Sequence, residues 1–80
     1  MNIFEKIIKK DGSPAPGVIT SFTIDDNTTI EFTGSAIQKT NNEGNATVEV
    51  QGKKIGVTSV IAKATIEGEI EVDEFTVKVV

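Results

Sequence analysis

Apolar and polar side chains alternate along most of this chain, and a period of two residues is typical of β-strands that bury one face. Residues 46–50 alternate without interruption, with the apolar side chains on even positions, and residues 57–66 form the longest predicted strand. Clusters of glycine, proline, asparagine and aspartate separate these segments and predict turns. The alternation therefore indicates a domain built from short strands.

The pattern predicts about seven strands. They cover residues 3–10, 18–24, 29–33, 36–40, 46–50, 57–66 and the segment that follows a tight turn at residues 67–69. Residues 3–10 also fit a helical stripe, but we favour a strand with both faces partly covered, because the segment is short, lacks an N-cap and meets a breaker rich in glycine and proline. The weak strand at residues 36–40 is expected at a sheet edge. Short strands at this spacing favour an all-β sandwich.

The alternation also predicts which side chains fill the core. They are Val18, Phe22, Ile30, Phe32, Val48, Val50, Val60, Ala62 and Val77. Thr20 and Ile24 lie on the same predicted strand face as Phe22. The small alanine side chains within residues 57–66 suggest that the opposite sheet approaches closely there.

The C-terminal segment changes phase. Its apolar residues occupy even positions up to Val72 and odd positions from Phe75 onward. A strand that keeps one face buried cannot change phase without an extra residue. We therefore expect a β-bulge at Asp73-Glu74. Such a bulge would keep the acidic side chains at alternate positions of this segment in water. We call these residues the acidic file: Glu67, Glu69, Glu71 and Asp73.

The composition fits one small domain that covers residues 1–80. Its apolar residues are mostly Ile and Val, which with the abundant Thr pack well on pleated sheets. The chain contains no Arg, His, Cys, Trp or Tyr, so cysteine nucleophiles, Ser-His-Asp triads and imidazole metal sites lack a necessary partner. We expect no enzyme activity, no catalytic or cofactor-binding residue and no cofactor.

The net charge of −4 and the absence of arginine argue against nucleic-acid binding. The longest apolar run, residues 60–62, is far shorter than the ~20 residues that cross a bilayer, so no membrane partner is expected. Asp25, Asp26 and Asn27 are weak candidates for an oxygen-ligated calcium site. Three adjacent residues of a tight turn rarely converge on one ion, and a polar turn is the preferred interpretation. The acidic file is interpreted as a solvated strand face rather than a cation or partner patch.

Three blocks resemble bacterial immunoglobulin-like domains of the invasin and intimin type. Asp11-Gly12-Ser13-Pro14-Ala15-Pro16-Gly17, followed by Phe22, resembles the family's D-G-x-P-x-x-G turn. Residues 42–48, with Gly44 at a turn, resemble its turn and inward A-T-V segment, and residues 56–62 resemble its G-x-x-x-V-x-A strand. The family's long first strand is shortened or missing here. The resemblance implies an immunoglobulin-like sandwich and a non-enzymatic role, as an adhesin spacer or as a module on phage capsids and tails.

The first hypothesis is a small phage virion protein, a capsid decoration or tail-associated module, because the chain starts at Met1 without an export signal and is a single domain. The alternative is a spacer or binding repeat of a bacterial surface adhesin, located at the cell surface. A small carbohydrate-binding module comes third, because sugar stacking needs exposed aromatic rings and most of the four Phe are predicted inward.

The expected partner is a protein, either a virion lattice or neighbouring domains, engaged in many copies. Interface hot spots favour Trp, Tyr and Arg, all of which are absent. Binding would therefore use an unpaired sheet edge or many weak contacts. A weak contact with a cell surface or a glycan is the other expectation.

Overall fold

The computed structural model describes residues 1–80 and consists of β-strands joined by turns and loops, with no helix. The strands are β1 (Asn2–Lys6), β2 (Ile19–Ile24), β3 (Ile30–Phe32), β4 (Ile37–Lys39), β5 (Asn45–Gly52), β6 (Gly56–Ile66) and β7 (Glu69–Val79). The prediction of an all-β chain with seven strands is confirmed. No helix is available that could cross a membrane.

The strands form two antiparallel sheets that pack face to face. The smaller sheet has the order β1-β5-β3 and the larger sheet has the order β4-β2-β6-β7, with β4 at an edge as predicted. The division of seven antiparallel strands into three and four is that of an immunoglobulin-like β-sandwich. An 11-residue strand is ~36 Å long at ~3.3 Å per residue, so the β6–β7 hairpin accounts for most of the 41 Å length of the molecule.

The core consists of the inner faces of the two sheets. Its buried residues are Ile3, Phe22, Ile30, Ala46, Val48, Val50, Val60, Ala62 and Val77. Every predicted core residue is buried except Val18 and Phe32, which are only partly buried. A smaller cluster of Ile7, Ala15 and Ala64 lies under the loop between β1 and β2.

The loop between β1 and β2 is attached to the segment before β5 by one backbone and one side-chain hydrogen bond. The N–H of Ile7 donates to the C=O of Gly44 at 2.7 Å, and the hydroxyl of Thr40 donates to the C=O of Ala15 at 2.5 Å. Gly44 has a φ of 81° and its Cα lies against the carbonyl oxygen of Ile7, so a Cβ would clash there. Only glycine fits this turn, as the sequence block around Gly44 suggested.

β1 is a strand, as predicted, but it is shorter than residues 3–10 and only one of its faces is covered. Ile3, Glu5 and Ile7 are buried, whereas Phe4 is 60% exposed and Ile8 is 48% exposed. The prediction that both faces are partly covered is wrong. β1 is the edge strand of the smaller sheet, and no further layer packs on the outer side of that sheet.

β7 is a regular strand, and the predicted bulge at Asp73-Glu74 is wrong. It pairs with β6 without interruption from Gly56↔Val79 to Ile66↔Glu69. Odd-numbered residues therefore face inward along the whole strand, and the predicted inward residues Ile70 and Val72 point outward. The distal half of β7 lies at the margin of the sandwich, where the smaller sheet covers little of it, and residues 69–74 are all exposed.

The predicted tight turn between β6 and β7 is confirmed. Glu67 and Gly68 have φ values of 50° and 80°, and positive φ at both central residues defines a type I′ turn. The twist of this turn matches that of the two strands it joins. A two-residue loop of this kind fixes the hairpin register and leaves no room for a slipped pairing.

Replacing Ile30 with Ala tests the assignment of inner and outer faces, with Ile19→Ala as the matched control. Ile30 is 1% exposed on the inner face and Ile19 is 60% exposed on the outer face. We expect the Ile30 variant to lose about 2–5 kcal/mol of unfolding free energy and the Ile19 variant to stay within about 1 kcal/mol of the parent, as measured by urea denaturation. Equal losses would contradict the assignment.

Candidate functional site

The concave surfaces of the molecule are three shallow open grooves. The largest, about 480 Å³, lies between β2 and β3 and is lined by Phe22, Thr23, Ile24, Asn27, Glu31 and Phe32. Its titratable side chain, Glu31, accepts a hydrogen bond from Gln51 at 3.2 Å and has no second acid or base beside it in the groove. General acid-base chemistry needs a positioned pair in a partly dry pocket, and this groove does not provide one.

The weak metal candidates Asp25, Asp26 and Asn27 lie in the turn between β2 and β3, and the structure does not bring them together as ligands. The carboxylate of Asp26 accepts hydrogen bonds from the N–H and the hydroxyl of Thr28, at 2.9 and 2.6 Å. These bonds, the hydroxyl bond first, lower the pKa of Asp26. Asn27 uses its C=O to accept a bond from Lys53. No group of three or more acidic side chains in the molecule is arranged to hold a metal ion.

A pair of carboxyl groups joins the two sheets at the margin formed by β1 and β7. Glu5 lies on the buried face of β1 at 5% exposure, and its carboxyl group reaches across to Asp73 of β7. The pKa of Glu5 is raised from 4.5 to about 8, first by burial, then by a hydrogen bond with Asp73, and then by the negative charges of Asp73 and Glu71. This raised pKa favours the neutral form of Glu5 beside the Asp73 carboxylate.

The distal hairpin carries the rest of the acidic file. The N–H of Lys10 donates to the Glu67 carboxylate at 2.9 Å, and the Lys10 ammonium lies 3.2 Å from the Glu69 carboxylate. Both side chains of the ion pair are about two-thirds exposed, so its contribution to stability is small. These contacts hold the hairpin tip against the β1–β2 loop and line a groove of about 200 Å³.

The outer face of the larger sheet carries several exposed large apolar side chains. Ile70 is 72% exposed, Val72 is 54% exposed, and Ile19 and Ile37 lie across the same face on β2 and β4. The intervening Lys63 pairs with Val72 on one side and with Ser21 on the other. The exposed apolar side chains therefore form two small groups, Ile70 with Val72 on β7 and Ile19 with Ile37 on β2 and β4, separated by polar residues of β6.

The β7 strand also presents an unpaired backbone edge, whose orientation follows from one hydrogen bond. The N–H of Asp25 donates to the C=O of Ser59 at 2.9 Å, in register with the β2–β6 ladder. In an antiparallel ladder the N–H and C=O of one residue point the same way and alternate along the strand. Odd-numbered residues of β6 thus bond to β2 and even-numbered residues bond to β7. By the β6–β7 register, even-numbered residues of β7 direct their N–H and C=O away from the sheet.

Comparison with protein-family models, with curated proteins and with solved structures finds no match to this chain. The resemblance to immunoglobulin-like domains of the invasin and intimin type therefore stays a hypothesis.

The functional features that sequence analysis missed are Glu5 and the outward Ile70 and Val72. Glu5 lies between Ile3 and Ile7 on odd positions, and this alternation could have placed its side chain inside. The outward direction of Ile70 and Val72 was available from the two-residue turn at Glu67-Gly68, because the turn sets the register of the whole hairpin.

The pKa of Glu5 predicts that stability falls as pH rises. A carboxyl with a raised pKa in the folded state holds its proton more tightly there than in the unfolded chain, so the proton stabilises the fold. This contribution is present in full below pH 4.5 and is lost as pH rises towards about 8. Glu5→Gln stays neutral and keeps a hydrogen-bond donor for Asp73. Its unfolding free energy should therefore depend less on pH than that of the parent between about pH 5 and about pH 8.5.

The control for this titration is Glu43→Gln, which removes the same charge from an exposed turn residue. Urea denaturation of the three proteins across that pH range gives the slopes. The Glu43 variant should keep the parent's slope. A Glu5 variant with the parent's slope would show that the Glu5 carboxyl is not protonated against Asp73.

Proposed function

We propose that this chain is a non-enzymatic structural module that binds protein neighbours, and that it serves as a small phage virion protein in capsid decoration or tail assembly. The observation that carries the proposal is the position of the unpaired β7 edge beside exposed apolar side chains of the outer face. A sheet edge binds an extended segment through backbone groups and does not need the Trp, Tyr and Arg that this chain lacks. Repetition on a lattice would strengthen weak contacts of this type.

The Met1 amino group donates to the C=O of Val50 at 3.1 Å, and the side chain of Val79 lies against Gly52, so both residues lie at the same end of the sandwich. The adhesin repeat stays the alternative proposal.

A carbohydrate-binding module has weaker support. Phe4 is the one phenylalanine that is largely exposed, and its cross-strand neighbour is Thr47. A single exposed ring offers one stacking surface, and no groove of the structure includes it.

The virion role is tested by fractionation of the source culture. Phage particles banded by density should contain the chain in multiple copies per particle, counted by quantitative mass spectrometry with the major capsid protein as the internal standard. A host cytoplasmic enzyme serves as the contamination control. Recovery of the chain only in the cell envelope, or only inside a longer exported polypeptide, would contradict the virion role and favour the adhesin.

A further inference from the structure

The exposed edge of β7 carries side chains that complement a second copy of the same strand. Glu74 and Lys78 lie on the outer face with Thr76 midway between them, and Phe75 and Val77 lie on the inner face. In an antiparallel pair centred on Thr76, residues opposite one another have numbers that sum to 152. Glu74 then faces Lys78 of the second copy, and the same pair recurs on the other side of the axis.

The backbone of β7 suits the same arrangement. The N–H and C=O groups of Glu74, Thr76 and Lys78 point away from the larger sheet, as derived above from the β2–β6 and β6–β7 registers. Each of these residues can exchange both of its hydrogen bonds with its opposite residue, which is the narrow pair of an antiparallel ladder.

The inner face gains apolar pairs in this register. Phe75 lies opposite Val77 of the second copy, and an aromatic ring beside a β-branched side chain is a favourable cross-strand pair. Phe75 and Val79 are only partly buried in a single copy, although both pack against the core. Pairing would cover the surface that Phe75 exposes at the margin, whereas Val79 would lie opposite Asp73 of the second copy.

Other two-fold registers match less well. A centre at Glu74 places two glutamates directly opposite one another, and a centre at Lys78 does the same with two lysines, which is destabilising. If the two-fold axis passes through Phe75 or Val77, Glu74 of one copy does not lie opposite Lys78 of the other, and the ion pair is lost. In the favoured register residues 73–79 of β7 pair with the same residues of the second copy, and the exposed Glu69 and Glu71 extend beyond the paired segment.

We propose that two copies of this chain pair through β7, antiparallel about a two-fold axis at Thr76, and join two four-stranded sheets into one continuous sheet. This inference rests on the proposed function, because it names a second copy as a partner of the β7 edge. A two-fold interface of this kind is closed and joins two copies.

The first test is Thr76→Pro. Proline removes the outward N–H at the centre of the interface but no hydrogen bond to β6, and proline is tolerated on an edge strand whose N–H faces solvent. Sedimentation velocity over a range of concentrations should show a dimer for the parent and a monomer for this variant. The matched control is Thr76→Val, which keeps the N–H and should stay dimeric. Circular dichroism and thermal unfolding check that both variants are folded.

The second test identifies the register through charge. Lys78→Glu and Glu74→Lys each place like charges opposite one another, and each should weaken dimerisation roughly tenfold or more. The combined exchange, Glu74→Lys with Lys78→Glu, restores opposite pairs and should restore the dimer. Lys63→Glu makes the same charge change on β6, away from the edge, and should leave dimerisation unchanged.

A parent that stays monomeric at about 1 mM, where even the weakest specific contacts are populated, would overturn the pairing. A dimer that Thr76→Pro does not affect would also overturn it, since the copies would then join through another surface. These outcomes are separate from the fate of the virion role. If the parent is monomeric but still copurifies with particles, the pairing fails and the virion role stands. If the parent dimerises through β7 but is absent from particles, the pairing stands and the virion role fails.

Discussion

The unbroken pairing of β6 with β7 is the constraint on which the rest of the structure depends. A type I′ turn at Glu67 and Gly68 sets one register, and that register continues for the full length of both strands. Because side chains of a strand alternate between faces, the register decides in one step which residues of β7 face inward. It also decides which of its backbone groups lack a partner.

The three-stranded sheet is narrower than the four-stranded sheet, and this difference decides which inward residues of β7 are covered. Where the smaller sheet covers β7, the inward position carries an apolar residue, and Val77 is buried. Towards the β6–β7 turn the inward positions carry acids, and one of them, Asp73, lies beside Glu5 of the opposite sheet. The margin therefore carries a pair of carboxyl groups instead of an apolar contact, and the raised pKa of Glu5 makes its stability depend on pH. The same margin leaves the β7 edge open for another strand.

The sequence predicts the strands and turns well, but it does not predict which strand segments the opposite sheet covers. The alternation in residues 46–50 and the glycine at position 44 specify a local structure that any sandwich preserves, and both predictions hold. The phase change between Val72 and Phe75 was interpreted as a bulge because a fully covered strand would need one. The strand is instead uncovered there, and a pattern of period two does not reveal how far a neighbouring sheet extends. The burial of Glu5 was not predicted, for a similar reason. A buried acid is rare without a partner, and its neighbour Asp73 lies on a strand that is distant in sequence.

Cross-strand contacts between β6 and β7 in solution test this account most directly. In the observed register Ile61 lies opposite Glu74, and Lys63 lies opposite Val72. Both are non-hydrogen-bonded pairs, in which the Cα atoms are ~4.5 Å apart and the Hα atoms are close. Nuclear Overhauser spectra should therefore show Hα–Hα contacts for both pairs, on either side of Asp73. Loss of the Lys63–Val72 contact, or its replacement by one shifted a single residue along β7, would place a bulge in the strand and contradict the account.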